Sequence, residues 1–235
     1  MVGRDRWARH CAADGPAVRP YLKESDSGKR IEIQVAACWV YAMKKPVAIK
    51  PGRLLWCGEH WIGMLRRKGA TTDSAKVSLF HTRVSPAGEG TAALIRIPGP
   101  DGWDAICADR RAVADWTTKQ FFRDSDYFDP KLPVLAAAFS RGGDILKAPS
   151  WTIKAGGRRL AITWKATKAP VIAAGEFQKK NDYFTILYFA DETRIELDGR
   201  RLPGKPYLRD IWKPSIGGDR SSCLFALAET LMKTG

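Results

Sequence analysis

No apolar run in the 235-residue chain reaches the roughly 18 residues that a membrane-crossing helix needs, so a transmembrane helix is not expected. The opening segment, residues 1–10, carries basic charge, but no apolar stretch follows it, and a secretory signal is not expected either. Cysteine is sparse. Cys11, Cys38, Cys57, Cys107 and Cys223 are odd in number and widely spaced, which argues against a disulfide framework and for reduced thiols in a cytoplasmic protein. Histidine is sparser still, with His10, His60 and His81 alone. Cys57 and His60 have the spacing of two metal ligands, but no second Cys/His pair completes the four that a structural zinc site takes, so no metal and no cofactor is expected. Also missing are the Gly-x-Ser-x-Gly elbow, the full Walker or dinucleotide glycine spacing, an RNP-type aromatic motif, a zinc knuckle and any low-complexity segment.

Positive charge is in excess. The formal net charge is +14, which favours anionic partners as well as solubility. Residues 131–170 hold eight basic residues and one acidic residue, whereas residues 101–130 hold four basic and seven acidic ones. Nine tryptophans are spread through the chain, and Trp alternating with Ile and Leu reads as core or as the wall of an apolar pocket.

Residues 1–29 read as an N-terminal arm of mixed charge with Gly15-Pro16, Pro20 and Ser25–Gly28. From residue 30 to 235 the texture is that of one β-rich domain, with short runs of Val, Ile, Trp, Tyr and Phe between turn residues. Strands are expected near 30–42, 46–50, 53–57, 60–66, 75–84, 91–97 and 103–108, then near 150–154, 159–166, 169–174, 183–190, 193–197 and 207–212. Gly156-Gly157 and Asp198-Gly199 mark hairpin turns. In the first of these hairpins Trp151, Ile153, Leu160, Ile162 and Trp164 alternate with polar and basic residues, giving one apolar face and one basic face. Helix is expected at 109–122, across two turns at 133–139, and behind a Ser cap at 222–233, where a strand through 223–227 is the competing reading. The fold class is therefore mainly β, an antiparallel β-barrel or β-sandwich with one or two short helices. Two β layers, 30–108 and 150–221, would be joined by the partly helical 109–149.

Candidate chemistry starts at Cys57-Gly-Glu-His-Trp61, where alternation sends Glu59 and His60 to opposite faces of a strand. In 77–83, Val77, Leu79 and His81 share a face, which makes His81 either a hydrogen-bonded core residue or, in a ligand-holding barrel, the natural general acid or base. Gly217-Gly218 before Ser221-Ser222 suggests an anion-accepting nest with Arg209 and Arg220 nearby, or simply a turn and helix cap.

His60-Trp-Ile-Gly-Met-Leu65 followed by Val77-Ser-Leu-Phe80 resembles the opening strands of the lipocalin-like family that includes carotenoid 1,2-hydratases. Arg159–Trp164 with Ala169–Ile172, and Ile195–Arg200 through Gly204 to Asp210 and Trp212, resemble later strands of the same family. The chain departs from that pattern in having His60-Trp61 for a paired Trp and Asp210-Ile211 for an Asp-Arg pair, and in being short for two complete barrels. The resemblance implies a lipocalin-like barrel around an apolar, isoprenoid or polyketide ligand. It also implies acid-catalysed hydration or cyclisation, with Asp210 and Glu59 as the proton donors.

These observations lead to a cytoplasmic β protein whose aromatic-walled pocket holds a mostly apolar small molecule, with Trp61, Trp151, Trp164, Arg209 and Arg220 as ligand contacts. Acid/base chemistry of the hydration, cyclisation or isomerisation kind would fall to His81, His60, Asp210 and Glu59. Two alternatives stand beside it. One is a nucleic-acid or polyanion-binding module using the 147–168 hairpin, with Lys154, Arg158, Arg159 and Lys165, together with Arg66-Arg-Lys68. The other is a structural or interaction protein without catalysis.

Overall fold

The computed structural model describes residues 52–177 and 181–234. The arm at 1–29 and the strands expected at 30–42 and 46–50 lie outside the described residues.

The two runs expected at 53–57 and 60–66 form one strand, β1 (Gly52–Arg66), which carries apolar side chains on both faces. Strands β2 (Asp73–Val84), β3 (Gly90–Ile97) and β4 (Trp103–Ala108) follow as an antiparallel meander. Helix α1 (Arg111–Thr117) then runs into a π turn at Thr118–Phe122. The rest is strand with one further helical turn: β5 (Val134–Ala136), β6 (Ala138–Gly142), β7 (Ser150–Ala155), β8 (Arg158–Thr167), β9 (Val171–Phe177), β10 (Asn181–Leu197), β11 (Arg200–Arg201), β12 (Leu208–Arg209), α2 (Lys213–Ile216), β13 (Arg220–Ser221) and β14 (Leu224–Thr234).

The main sheet has the order β5-β4-β3-β2-β1-β14-β10-β8-β7-β6, with β9 and β11 also on β10. Only Ala137 separates β5 from β6, and its amide donates to the Ala108 carbonyl at 2.8 Å. One continuous stretch thus pairs parallel with β4 and antiparallel with β7, bringing the two ends of the sheet together. The result is a nearly closed barrel, and the strands on either side of the helical segment belong to the same sheet.

Alternation then decides what lies inside. Trp61, Val77, Leu79, Ile162, Trp164 and Phe225 belong to the interior cluster. Trp56, Phe80, Leu94 and Ile106 lie on the outer face beneath Val113 and Phe122 of the helical segment. Met64, Leu187, Phe189 and Leu224 form a second outer cluster covered by Tyr127, Tyr207 and Trp212. The β7–β8 hairpin has the expected faces, pairing Trp151 with Ile162 and Ile153 with Leu160. Its Gly156-Gly157 turn has φ of 56° and 77°, and the Asp198-Gly199 turn has φ of 52° and 81°, the positive pair that a tight two-residue hairpin requires.

Two helix expectations are corrected. Residues 224–234 are strand β14, lying between β1 and β10. Its register slips by one residue against both neighbours in the same place, between Ala226 and Glu229. That bulge changes the phase of the alternation, so that Leu224, Leu227 and Leu231 fall at helical spacing within a strand. Residues 133–139 are not helical turns but the β5–β6 seam; the Ala-rich composition mimics a helix, and barrel closure overrides it. In 207–212 only Leu208–Arg209 is strand, paired with β13.

Candidate functional site

Glu59 on β1 is the register partner of His81 on β2, and His81 is the register partner of Thr91 on β3. Arg141 on β6 is likewise opposite Trp151 on β7. Barrel closure brings these two groups together. Arg141 Nη1 donates to Glu59 Oε1 at 2.8 Å, and its guanidinium lies 5.3 Å from the Trp61 ring centroid. Trp61 Nε1 donates to Glu59 Oε2 at 3.0 Å. The Trp151 ring sits 6.1 Å from Trp61 and 5.5 Å from His81. The cluster occupies the end of the barrel opposite the Gly156-Gly157 turn.

Its electrostatics are asymmetric. Glu59 is 8% exposed, and each of its oxygens already accepts a hydrogen bond, so it serves as a held anion. The Arg141 side chain is 36% exposed and reaches solvent from this buried partner. His81 is held below the ordinary imidazole range, first by burial and then by the Arg83 charge, which leaves it neutral near pH 7. Its Nδ1 is within 2.9 Å of Thr91 Oγ1, and its Nε2 has no hydrogen-bond partner among the described residues. Trp151 is 4% exposed, yet its indole N–H also lacks an acceptor. A buried donor left unmatched ordinarily costs about 1–3 kcal/mol. Here it lies beside a neutral imidazole with a free nitrogen.

Below this cluster the barrel is filled. Trp61 stacks on Phe225 at 4.5 Å and lies 5.0 Å from Trp164, while Tyr188 stacks on the other side of the aromatic group at 5.1 Å from Phe225. Trp164 is fully buried, and its Nε1 donates to the Ile62 carbonyl at 2.8 Å. Two surface depressions, of about 620 and 460 Å³, lie at the opposite end of the barrel, and no tryptophan lines either.

Of the residues singled out from sequence, Glu59, His81, Trp61 and Trp151 are gathered here, and Trp164 packs beneath them. His60 points the other way, as alternation requires. Its ring stacks on Phe80 at 3.9 Å, with Nε2 3.0 Å from Ser78 Oγ and Nδ1 3.9 Å from Glu229 Oε1. Burial lowers His60 to about 3 and raises Glu229 to about 7. The order Ser78–His60–Glu229 matches that of a hydrolytic triad, but Ser78 is buried mid-strand beneath the outer cover with its backbone in the sheet ladder.

Arg209, Asp210 and Arg220 belong to the excursion over the outer face. Arg209 Nη1 contacts Met64 Sδ at 3.2 Å, Arg220 lies 5.9 Å from the Phe189 ring, and Asp210 is exposed. The Ser221 and Ser222 hydroxyls donate to the Ala190 and Met64 carbonyls, so they are spent on structure, and the helix expected after them is a strand. Lys154, Arg159 and Lys165 are exposed along β7 and β8, while Arg158 is bound by Asp198 and by the carbonyls of Asp101 and Gly102.

Sequence reasoning missed Arg141 and Thr91. Thr91 is visible only as the register partner of His81, and Arg141 only once the seam is known to be a strand. Among the described residues no group of three or more His, Cys, Asp and Glu side chains is placed to hold a metal. Comparison with known protein families, with curated proteins and with solved structures finds no match to this chain.

Proposed function

We propose that the barrel binds a small, mostly apolar molecule at the end carrying Arg141, His81 and Trp151. The observation that carries this reading is the buried Trp151 N–H without an acceptor, beside the free Nε2 of a neutral His81 and below a solvent-reaching Arg141. A ligand carbonyl or hydroxyl oxygen would satisfy that donor, and its apolar body would lie against Trp151 beside the partly exposed Arg141. Because the interior is occupied by Trp61, Trp164 and Phe225, the ligand sits at the barrel mouth rather than deep inside.

Catalysis extends the same reading. His81 Nε2 is the group able to exchange a proton with a bound ligand, and the Glu59–Arg141 pair supplies a fixed field beside it. This fits the hydration, cyclisation or isomerisation chemistry implied by the lipocalin-like resemblance. Glu59 acts there as a fixed anion rather than as the proton donor that the resemblance implies, and Asp210 lies with the outer-face excursion. Native mass spectrometry of protein purified from its source tests the binding reading: a retained small organic molecule is expected, and bare chain mass alone would count against it.

The polyanion reading of β7–β8 draws on the exposed Lys154, Arg159 and Lys165. Glu192 is the register partner of Lys165, Glu196 pairs with Arg194, and Asp198 holds Arg158, so acidic groups interrupt the basic strip. Neutralising Lys154, Arg159 and Lys165 together is therefore expected to change heparin retention little.

A further inference from the structure

At the barrel end opposite the Trp151 cluster, the β1–β2 and β3–β4 connections, the end of β10, and β11 with the two residues after it line an open depression of about 620 Å³. Its apolar lining includes Ile97, Pro98, Leu197, Leu202 and Pro203, and its charged lining includes Arg67, Arg200 and Arg201 against Asp73 and Asp101. The two carboxylates are already engaged. Asp73 pairs with Arg66 at 2.8 Å and Lys76 at 3.5 Å and accepts the Tyr207 hydroxyl at 2.9 Å; Asp101 pairs with Arg200 at 3.2 Å. Arg67 and Arg201 form no ion pair among the described residues; Glu196 stands opposite Arg201 in register but is engaged by Arg194. Two guanidinium groups without an ion pair of their own thus line the same partly apolar hollow.

The surrounding loops are pinned. Arg158 ties the 98–102 loop to the β7–β8 hairpin through the carbonyls of Asp101 and Gly102. Gly102 is folded so tightly that a Cβ there would lie 2.0 Å from the Ile97 carbonyl oxygen. Ser74 donates to the Leu65 and Pro203 carbonyls, and Arg66 and Lys205 exchange backbone hydrogen bonds at 3.0 Å. A preformed rim loses little freedom on binding, which favours a specific ligand over diffuse charge attraction.

We propose that this depression is a binding site for a small phosphate monoester with an apolar organic group, the phosphate held by Arg67 and Arg201 and the organic group resting on Leu202 and Pro203. Guanidinium groups match phosphate oxygens with paired, charge-assisted hydrogen bonds. The site shares no residue with the Trp151 cluster, so either can fail without the other.

Phenyl phosphate, inorganic phosphate and phenol, each titrated into the full chain by calorimetry at low salt, test the proposal. Phenyl phosphate is expected to bind, inorganic phosphate more weakly, and phenol not at all, with binding weakened by added salt. The exposed double substitution Arg67→Gln/Arg201→Gln is expected to lower phenyl phosphate affinity by at least about tenfold, the scale of one lost charge-assisted contact. Lys165→Gln, on another face, is expected to leave it unchanged. Absence of phenyl phosphate binding, equal binding by the double variant, or phenol binding as tightly as phenyl phosphate would overturn the proposal.

Discussion

Glu59 and Arg141, 82 residues apart in the chain, meet at 2.8 Å across the end of the barrel, between β1 and β6. The pair ties the closing strand to the opposite wall and shapes the candidate site, because the same guanidinium lies over Trp61 and reaches solvent. Its two halves are unequal: the carboxylate is buried and the guanidinium partly exposed.

That inequality gives a directional prediction. Arg141→Ala leaves the buried Glu59 with only the Trp61 N–H, and is expected to cost about 2 kcal/mol after allowance for the exposure of Arg141. Glu59→Gln keeps an acceptor for Trp61 and releases Arg141 to water, so it is expected to cost less. Urea denaturation checks the order through the midpoint, with the m-value unchanged.

On the outer face, Glu229 titrates near 7 when folded, against an ordinary value of 4.5. A carboxyl whose pKa is raised by folding leaves the folded state unpenalised at acid pH, destabilises it increasingly as pH climbs from about 4.5 to about 7, and fully above that. Glu229→Gln, which cannot ionise, is therefore expected to gain stability relative to the parent at pH 8, by roughly 2 kcal/mol, and little at pH 4. Thermal or urea melts of both proteins at the two pH values give the comparison. An equal effect at both would mean that Glu229 is not held neutral by burial.

Trp151 and Trp164 are both buried, but only Trp164 has its N–H satisfied, by the Ile62 carbonyl. Replacing each with Phe removes similar ring area but different polar contacts. Trp164→Phe leaves a buried carbonyl without its donor and is expected to destabilise the ligand-free protein by about 1 kcal/mol more than Trp151→Phe. Urea melts of the two ligand-free variants measure that difference.

Local pattern was enough for much of this fold. Alternation placed Val77, Leu79 and His81 on one face, set Glu59 and His60 back to back, and divided the β7–β8 hairpin into apolar and basic faces. It failed where the controlling interaction is not local. Strand β14 carries a bulge that shifts its phase, and both of its faces are covered, so its apolar spacing imitates a helix. The β5–β6 seam is Ala-rich and becomes strand through pairing with β4 and β7. Arg141 was invisible for the same reason: its partner Glu59 is brought near only by closure. The filling of the barrel was beyond reach as well, since a Trp that fills a core and a Trp that lines a cavity occupy the same position in an alternating pattern.

The most direct test of the proposed ligand site is the indole region of a ¹⁵N–¹H correlation spectrum, recorded on protein as purified from its source and again after the retained molecule has been stripped by mild denaturation and refolding. Gaining an acceptor moves an indole N–H signal downfield. The Trp151 signal is expected to differ between the two samples, the Trp164 signal to stay in place, and Arg141→Gln to abolish the difference. A Trp151 signal that is the same in both samples would contradict the proposal that this end of the barrel holds a ligand.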